Sequence, residues 1–451
     1  MSSEIRLTGG AIVMQDAARR VIERGEVAFD PATGRITYAG EVRGDGDAAG
    51  SGRLGAATDV TGCVVMPGLV NAHTHSGMTP LRGYAEDMNL QDWLAKVRAF
   101  EVRLGAEDLR AGLELALIEM LKTGTTTFAD MFLWDRRMLE SVVTSGMRVL
   151  AAPAVFGYDA VGYPAASPSD GRAVLDLTER LAAEFAGDGQ IRLAFGPHAP
   201  YTCTPEMLAD VAARAGRLGL PIQIHLSESA PEVDSCLRDY GRTPVAHAAA
   251  CGIFDHPVLV AHCTHPTDAE IELLAGADAA VAHNPVSNLK LGAGIAPVRR
   301  FLDAGVRLGL GTDSVASNNN LDLFEEIKTG ILMQRGVHRS PDIVRSGDFL
   351  DMATCGGAAA VRFPEVGVLE AGRPADIVIL DATGTRATPL YDAASYLAFA
   401  ASGSADVRDV YVAGRHVVAG GRVTSLDEAA VRERVAHTAA RVRRELAAPA
   451  T

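Results

Sequence analysis

Eight short apolar runs punctuate the middle of this chain, and the polar residues with the most reactive side chains lie at or just past their ends. Stretches with a helical hydrophobic period separate the runs. This alternation predicts an α/β protein built on a (β/α)8 TIM barrel, in which the loops after the strands form one shared mouth. The runs span residues 64–73, 125–131, 148–155, 191–198, 221–228, 258–263, 279–285 and 307–313. The polar residues that such a barrel brings together are His73, His75, His198, His225, Glu228, His262, His283 and Asp313.

The two ends of the chain differ in pattern from the middle. Residues 1–66 and 368–423 alternate short apolar stretches with glycine-rich turns, which is typical of short strands. Each end is too small to close a core alone, so we expect them to form one composite β-sandwich beside a barrel of residues 67–367. A charged helical segment, residues 424–451, follows.

Composition excludes several classes of binding partner before any motif is considered. The formal net charge of -14 leaves no basic face to neutralise phosphates, which argues against a nucleic-acid or anionic-membrane partner. The six cysteines lack CxxC spacing, and this pattern is typical of reduced thiols. The segment MSSEIRLTGG has no basic region followed by an apolar core, and no apolar stretch reaches membrane-spanning length, so we expect neither a secretory leader nor a membrane span. We therefore expect a cytoplasmic homo-oligomer that acts on a small molecule.

The sharpest local motif is the H-x-H pair of His73 and His75. Residues two apart in a strand face the same side, so both imidazoles can reach one metal ion. His225 and Asp313, at the ends of the fifth and eighth runs, add a nitrogen and an oxygen ligand, which suits a catalytic zinc ion, although iron(II) fits the same set. No lysine occurs in the eight runs to serve as a carboxylated bridge, so one ion is favoured.

Two further residues are candidates for proton transfer. Glu228 lies three residues past His225, and His262 ends the sixth run; a hydrolase that activates water needs a base and an acid of these types. A lone loop glutamate is more often merely solvated, but its predicted neighbours favour a catalytic role here. His198 is predicted to contact substrate. For His283, structural and functional roles are equally supported.

The motifs that hold these residues resemble the amidohydrolase superfamily, specifically its 5-methylthioadenosine/S-adenosylhomocysteine deaminase branch. The similarity continues into GVLEAGRPADIVILD and so spans nearly the whole chain. Chlorohydrolases of s-triazines and guanine-type deaminases share much of the pattern. The motifs are PGLVNAHTHSGMTPLRGYAEDMNLQDWL, GPHAPYTCTPE, IHLSES, AHCTH, AHNPVSNLKLGAGIAPV and LGTDSVASNNNLDLFEEI.

The resemblance implies a role for each residue in the deamination of an adenine ring. Glu228 would deliver a proton to N1, and His262 would orient the water that attacks C6. His198 would contact the purine, and Glu101 matches the acidic residue that grips the ribose hydroxyls. Ammonia and an inosine-type nucleoside would be the products. The implied zinc ligands are His73, His75, His225 and Asp313, the last of which would also take the proton from the attacking water.

One segment departs from the family pattern. Relatives that accept S-adenosylhomocysteine tend to carry arginines in the loop after the third strand, whereas residues 151–171 contain none. Tyr158 and Tyr163 favour a shorter 5′ group, as in 5-methylthioadenosine, 5′-deoxyadenosine or adenosine. The alternatives are an amidohydrolase acting on another heterocycle, such as an s-triazine or guanine-type base, and a non-catalytic binding barrel, which would have no use for water-activating groups.

Overall fold

The structure is a computed structural model that describes residues 4–43, 57–157 and 170–448. Its strands, in chain order, are β1 (Ile5–Thr8), β2 (Ala11–Val13), β3 (Val21–Ile22), β4 (Gly25–Asp30), β5 (Arg35–Glu41), β6 (Ala57–Asp59), β7 (Cys63–Pro67), β8 (Leu69–Thr74), β9 (Thr125–Phe132), β10 (Arg148–Val155), β11 (Ile191–Leu193), β12 (Gly196–Pro197), β13 (Ile222–Leu226), β14 (Val258–His262), β15 (Ala279–His283), β16 (Arg307–Leu310), β17 (Ile377–Asp381), β18 (Val407–Val412), β19 (Arg415–Ala419) and β20 (Arg422–Val423).

Helices alternate with the central strands. In chain order they are α1 (Leu90–Glu101), α2 (Ala106–Lys122), α3 (Arg136–Ser145), α4 (Gly171–Glu184), α5 (Pro205–Leu218), α6 (Ala230–Tyr240), α7 (Pro244–Ala250), α8 (Asp268–Gly276), α9 (Pro285–Lys290), α10 (Val298–Ala304), α11 (Leu323–His338), α12 (Ser346–Met352), α13 (Cys355–Ala360), α14 (Ala393–Phe399), α15 (Gly403–Asp406) and α16 (Glu428–Ala447). None of those described has the length and apolar character needed to cross a bilayer.

The central strands form a TIM barrel, as the sequence predicts. Strands β8 to β11 pair in parallel in one half, and β13 to β16 pair in parallel in the other. Two isolated bridges join the halves, one between Thr74 and Asp313 and one between Phe195 and Ile222. The fourth strand is broken into β11 and β12, both paired with β10. Small and branched apolar side chains fill the interior, so the barrel is a packed core with its mouth at the strand ends.

The two ends of the chain combine in a composite sandwich. One sheet has the order β20-β19-β18-β17-β7-β2-β3 and so takes strands from both ends, while β5, β4, β1 and β6 form a second sheet. Apolar residues from both sheets, among them Leu7, Phe29 and Ile377, pack in one buried cluster. The buried pair of Arg148 and Asp376 ties the third barrel strand to this sandwich. The limits 1–66, 67–367, 368–423 and 424–451 remain predictions.

The first apolar run divides between two sheets. Cys63–Pro67 pairs with β17 in the sandwich, while Leu69–Thr74 is the first barrel strand. Gly68 links the two strands, and a Cβ atom at this position would collide with the side chain of Thr126. The run reads as continuous in sequence because both strands are buried on both faces.

Helix boundaries follow the capping residues. The Thr204 side chain accepts a hydrogen bond from the backbone N–H of Met207, with Pro205 at the first helical position of α5. Thr267 and Glu270 form the predicted capping box of α8. These caps fix where α5 and α8 begin.

Candidate functional site

The predicted metal ligands converge at one end of the barrel. His73 lies in β8 and His75 follows it, His225 lies in β13, and Asp313 comes three residues after the end of β16. The Nε2 atom of His75 is 3.2 Å from Oδ1 of Asp313, and Nε2 of His73 is 3.8 Å from the same oxygen. The ring centroids of His73 and His225 are 4.9 Å apart. Sequence positions that are far apart are therefore neighbours in space.

The potential ligand atoms fall into two overlapping groups among the described residues. One contains His73, His75 and Asp313, and the other contains His73, His225 and His262, with the atoms of each group within 4.8 Å of one another. His73 belongs to both, so it lies at the centre of the cluster. Its Nε2 atom is buried and has no hydrogen-bond partner. An unpartnered imidazole nitrogen facing a carboxylate and other imidazoles fits the donor set of a divalent cation.

The outer nitrogens of two histidines are held by backbone carbonyls. Nδ1 of His75 contacts the carbonyl oxygen of Met131, and Nδ1 of His225 lies 2.9 Å from the carbonyl oxygen of His198. A carbonyl only accepts hydrogen bonds, so both Nδ1 atoms carry a proton. Nε2 of each ring is therefore the nitrogen that can bind a metal ion once it has lost its proton, an arrangement common around metal-binding histidines.

The Asp313 carboxylate is fixed on both oxygens. Oδ2 accepts hydrogen bonds from Ser287 Oγ at 2.5 Å and Ser317 Oγ at 2.9 Å, while Oδ1 accepts one from the Ser314 backbone N–H at 2.7 Å. Burial alone would raise its pKa, but the hydrogen bond and charge of His75 hold the pKa of Asp313 well below its usual range. The carboxylate is thus ionised and oriented.

The charge of Asp313 also acts on His75. Burial would lower the pKa of this imidazole, yet the adjacent carboxylate raises it to about 9. The buried His73 has its pKa lowered well below the usual value, by burial first and by His75 next. The carboxylate of Asp313 thus creates a negative potential beside His75, and such a potential also favours a divalent cation.

Glu228 and His262 face each other beside this cluster. Nε2 of His262 is 3.8 Å from Oε1 of Glu228, and both side chains are buried. Burial raises the pKa of Glu228 above its usual value. Nδ1 of His262 lies 2.7 Å from Oδ1 of Asn288, so Asn288 orients the ring. The structure thus places a buried carboxyl group and a buried imidazole, two groups capable of acid–base chemistry, side by side at the mouth.

Glu232 holds the loop that carries Glu228. Its carboxylate accepts hydrogen bonds from the backbone N–H groups of Ser227, at 3.0 Å, and of Glu228, at 2.6 Å. Ser227 has a φ of 51°, which lies in the left-handed region that residues other than glycine seldom adopt. His262 and Asp313 have φ values of 70° and 59°. Left-handed backbone at three strand ends marks a mouth held in place by its contacts.

His198 lies against an aromatic surface next to His225. Its ring stacks on Phe156 with centroids 4.4 Å apart and meets Tyr201 edge to face at 5.6 Å. Nδ1 is 3.1 Å from the Thr202 hydroxyl oxygen. Burial, followed by the charge of His75, lowers the pKa of His198 to about 3. A neutral imidazole on an aromatic surface is suited to contact a heterocycle.

Glu101 is the last residue of α1. Its side chain retains 16% exposure, and its nearest ion partner is Arg98, with Nη1 3.9 Å from Oε2. Burial raises the pKa of Glu101 to about 7, while the charges of Arg98 and His75 lower it. The influence of His75 places this carboxyl within electrostatic reach of the cluster. Tyr158 and Tyr163, expected to shape the 5′ subsite, lie outside the described residues.

His283 ends β15, the strand next to the one that ends at His262. Its buried ring has its centroid 6.2 Å from that of Phe349 in α12, and neither ring nitrogen has a hydrogen-bond partner. It belongs to neither group of potential ligand atoms. Burial lowers its pKa to about 3.

Several supporting residues are absent from the sequence-based set. Gln223 contacts His73, Asn288 contacts His262, and Glu232 contacts the Glu228 loop. Gln223 could have been found, because it precedes His225 by two residues and so shares its strand face. Glu232 could not, since its partners are backbone groups that carry no sequence signal.

Comparisons of the sequence with known proteins find an amidohydrolase family model and relatives named as deaminases. The profile of the amidohydrolase family matches residues 64–417. A protein of Pelotomaculum thermopropionicum named 5-methylthioadenosine/S-adenosylhomocysteine deaminase is 40% identical over 429 residues, which cover 94% of this chain and 96% of that protein.

Solved structures of two zinc-bound hydrolases are similar to nearly the whole chain. A zinc-bound adenosine deaminase from Xanthomonas campestris superimposes with a TM-score of 0.90 at 31% identity, covering 98% of this chain and 99% of that one. A zinc complex of an atrazine chlorohydrolase from Arthrobacter aurescens superimposes with a TM-score of 0.86 at 25% identity, covering 96% of this chain and 100% of that one.

Proposed function

This chain belongs to the amidohydrolase family, and from that premise we propose that it is a zinc-dependent deaminase of adenosine-type nucleosides. The family model together with the relatives named as deaminases makes it a hydrolase of C–N bonds. The observation that carries the proposal is the convergence of His73, His75 and Asp313 beside the buried pair of Glu228 and His262. The relatives named as deaminases support an adenosine-type substrate.

One divalent cation suits the cluster. The ligands would be His73, His75, His225 and Asp313, three imidazoles and one carboxylate, which is a common set for a catalytic zinc site with an open position. Zinc in the related structures supports this metal, and iron(II) matches the same donors. When bound, the ion supplies Lewis-acid activation of water and stabilises developing negative charge.

The residues around the cluster divide the proton transfers between them. Asp313, ionised and oriented by Ser287 and Ser317, accepts the proton of the attacking water. Glu228 delivers a proton to N1 of the adenine ring, which makes C6 more electrophilic. His262, oriented by Asn288, positions the water and stabilises the tetrahedral centre at C6. Asp313 passes the proton that it took from water to the amino group, the C6 hydroxyl returns a proton to Glu228, and the C6–N bond breaks to release ammonia and an inosine-type nucleoside.

Two residues are proposed to recognise the substrate. His198 contacts the purine from its aromatic surface, and Glu101 accepts hydrogen bonds from the ribose hydroxyls. Because residues 151–171 contain no arginine, 5-methylthioadenosine, 5′-deoxyadenosine and adenosine suit the site better than S-adenosylhomocysteine.

A second candidate is hydrolysis of another amino- or chloro-substituted heterocycle, such as an s-triazine or a guanine-type base. The structural similarity to the atrazine chlorohydrolase favours it. Such a reaction would keep the metal ligands and the proton-transfer pair, but it would have no use for Glu101.

An ammonia-release assay tests the proposal. The purified protein with zinc is assayed with adenosine, 5-methylthioadenosine, 5′-deoxyadenosine, S-adenosylhomocysteine, guanine, cytosine and an aminotriazine. We expect release from the adenosine compounds only, and Glu228→Gln serves as the inactive control. Turnover of guanine or the triazine with no turnover of adenosines would favour the second candidate.

A further inference from the structure

Gln223 is the partner of the outer nitrogen of His73. Its side-chain Nε2 lies 2.9 Å from Nδ1 of His73, and both residues are fully buried. Gln223 precedes His225 by two residues in β13, so the two side chains point the same way from the strand. Among the three predicted histidine ligands, His73 alone has its Nδ1 held by a side chain; carbonyl groups hold the other two.

The orientation of the Gln223 amide decides which nitrogen of His73 is free. If the amide nitrogen donates to Nδ1, the neutral ring carries its proton on Nε2, the nitrogen that faces Asp313. That proton would block a cation. The same orientation leaves Oε1 of Gln223 buried with no hydrogen-bond partner, as is Nε2 of His73.

Rotation of the amide by half a turn resolves the conflict at His73. The terminal torsion of glutamine is broad and close to two-fold, so its oxygen and nitrogen exchange positions easily. In the rotated form Oε1 accepts a hydrogen bond from Nδ1–H, and the lone pair of Nε2 becomes free. His73 then matches His75 and His225, whose Nδ1 atoms also face acceptors.

We propose that Gln223 is a positioning residue for the metal centre, whose amide oxygen accepts the Nδ1–H of His73 and fixes the tautomer that can bind a divalent cation. This inference rests on the proposed metal-dependent function. Groups of this kind behind a histidine ligand typically change metal affinity by about 10- to 100-fold when removed.

The test is the zinc dissociation constant of three full-length variants, measured by competition with a chromophoric chelator and without substrate. Gln223→Met keeps the length of the side chain but removes the acceptor, and we expect about 10- to 100-fold weaker zinc binding. Gln223→Glu keeps an acceptor, and we expect zinc binding within a few-fold of wild type. Thermal melting of the zinc-free proteins reports whether each variant folds.

Gln334→Met is the matched control. Gln334 in α11 is also fully buried, also has an unpartnered Oε1, and donates to the carbonyl of Ala296 at 2.9 Å. We expect this variant to bind zinc like wild type, even if it melts at a lower temperature. Equal zinc affinity in Gln223→Met and wild type, or equal loss in Gln223→Met and Gln223→Glu, would overturn the inference. A wild-type protein that binds no divalent cation would instead overturn the proposed metal-dependent function.

Discussion

The metal side and the substrate side of the barrel mouth are built differently. On the metal side, the carboxylate of Asp313 accepts three hydrogen bonds, and the outer nitrogens of His75 and His225 face carbonyl groups. On the substrate side, Glu101 has a distant ion partner at 3.9 Å and ends a helix rather than a strand. Contacts within the protein organise the first side, whereas under the proposed function Glu101 would gain its hydrogen bonds from the substrate.

Metal removal should give the largest effect. Because four side chains surround one open site, we expect about one equivalent of zinc per chain and loss of activity to background when a chelator strips it. Adding zinc back should restore turnover. Atomic emission measures the zinc content of the stripped and reloaded protein. Two tightly held ions per chain would contradict the single site.

The proton-transfer pair comes next. Glu228→Gln and His262→Asn should keep the metal but lower kcat by roughly a hundredfold or more, the scale of lost acid–base catalysis. Metal content and steady-state rates measured on the same samples check this. His262 also lies within one group of potential ligand atoms, so loss of metal in His262→Asn would make it a ligand instead.

On the substrate side, Glu101→Ala should reduce kcat/KM for adenosine by about 10- to 100-fold, since hydrogen bonds to a charged group contribute about 1.5–3 kcal/mol. Wild type should strongly prefer adenosine to 2′-deoxyadenosine and free adenine, because those leave the carboxylate partly unpaired. The variant should lose much of that preference. Equal use of adenine and nucleosides by wild type would remove the ribose role of Glu101.

A smaller effect concerns the 5′ group. We expect kcat/KM for S-adenosylhomocysteine to be about tenfold below that for 5-methylthioadenosine, because residues 151–171 offer no arginine for its carboxylate. The nearest arginine along the chain is Arg172, exposed in the first turn of α4. A preference for S-adenosylhomocysteine that disappears in Arg172→Ala would show that this residue holds the tail.

The smallest effect is a pH dependence. Burial raises the pKa of Glu101 to about 7, so the carboxylate that accepts ribose hydroxyls forms as pH rises through that value. KM for adenosine should fall about three- to fivefold from pH 6 to 8, with a midpoint at or below 7 because a bound cation lowers the pKa further. Glu101→Gln should lack this dependence. An unchanged profile in the variant would assign the titration to another group.

The two sides also differ in what the sequence could predict. Strand periodicity and the H-x-H spacing place His73, His75, His225 and Asp313 together, because every barrel strand ends at the same mouth. The break between β11 and β12 and the division of the first run at Gly68 could not be predicted, since both depend on pairing with distant strands. The role of Glu101 was predicted only from the family resemblance. No spacing rule indicates where the end of a helix lies relative to the barrel mouth.

The division at Gly68 has a consequence for synthesis on the ribosome. Strand β7 pairs with β17, with Met66 opposite Val378, so its partner is translated long after it emerges. Asp313 likewise appears late, yet its backbone N–H bonds the carbonyl of His73. The nascent chain therefore displays the H-x-H pair before the residues that enclose it exist, and such long-range closure is slow. Metal loading is thus expected to follow release of the chain, when both ends are present to hold β8 in place.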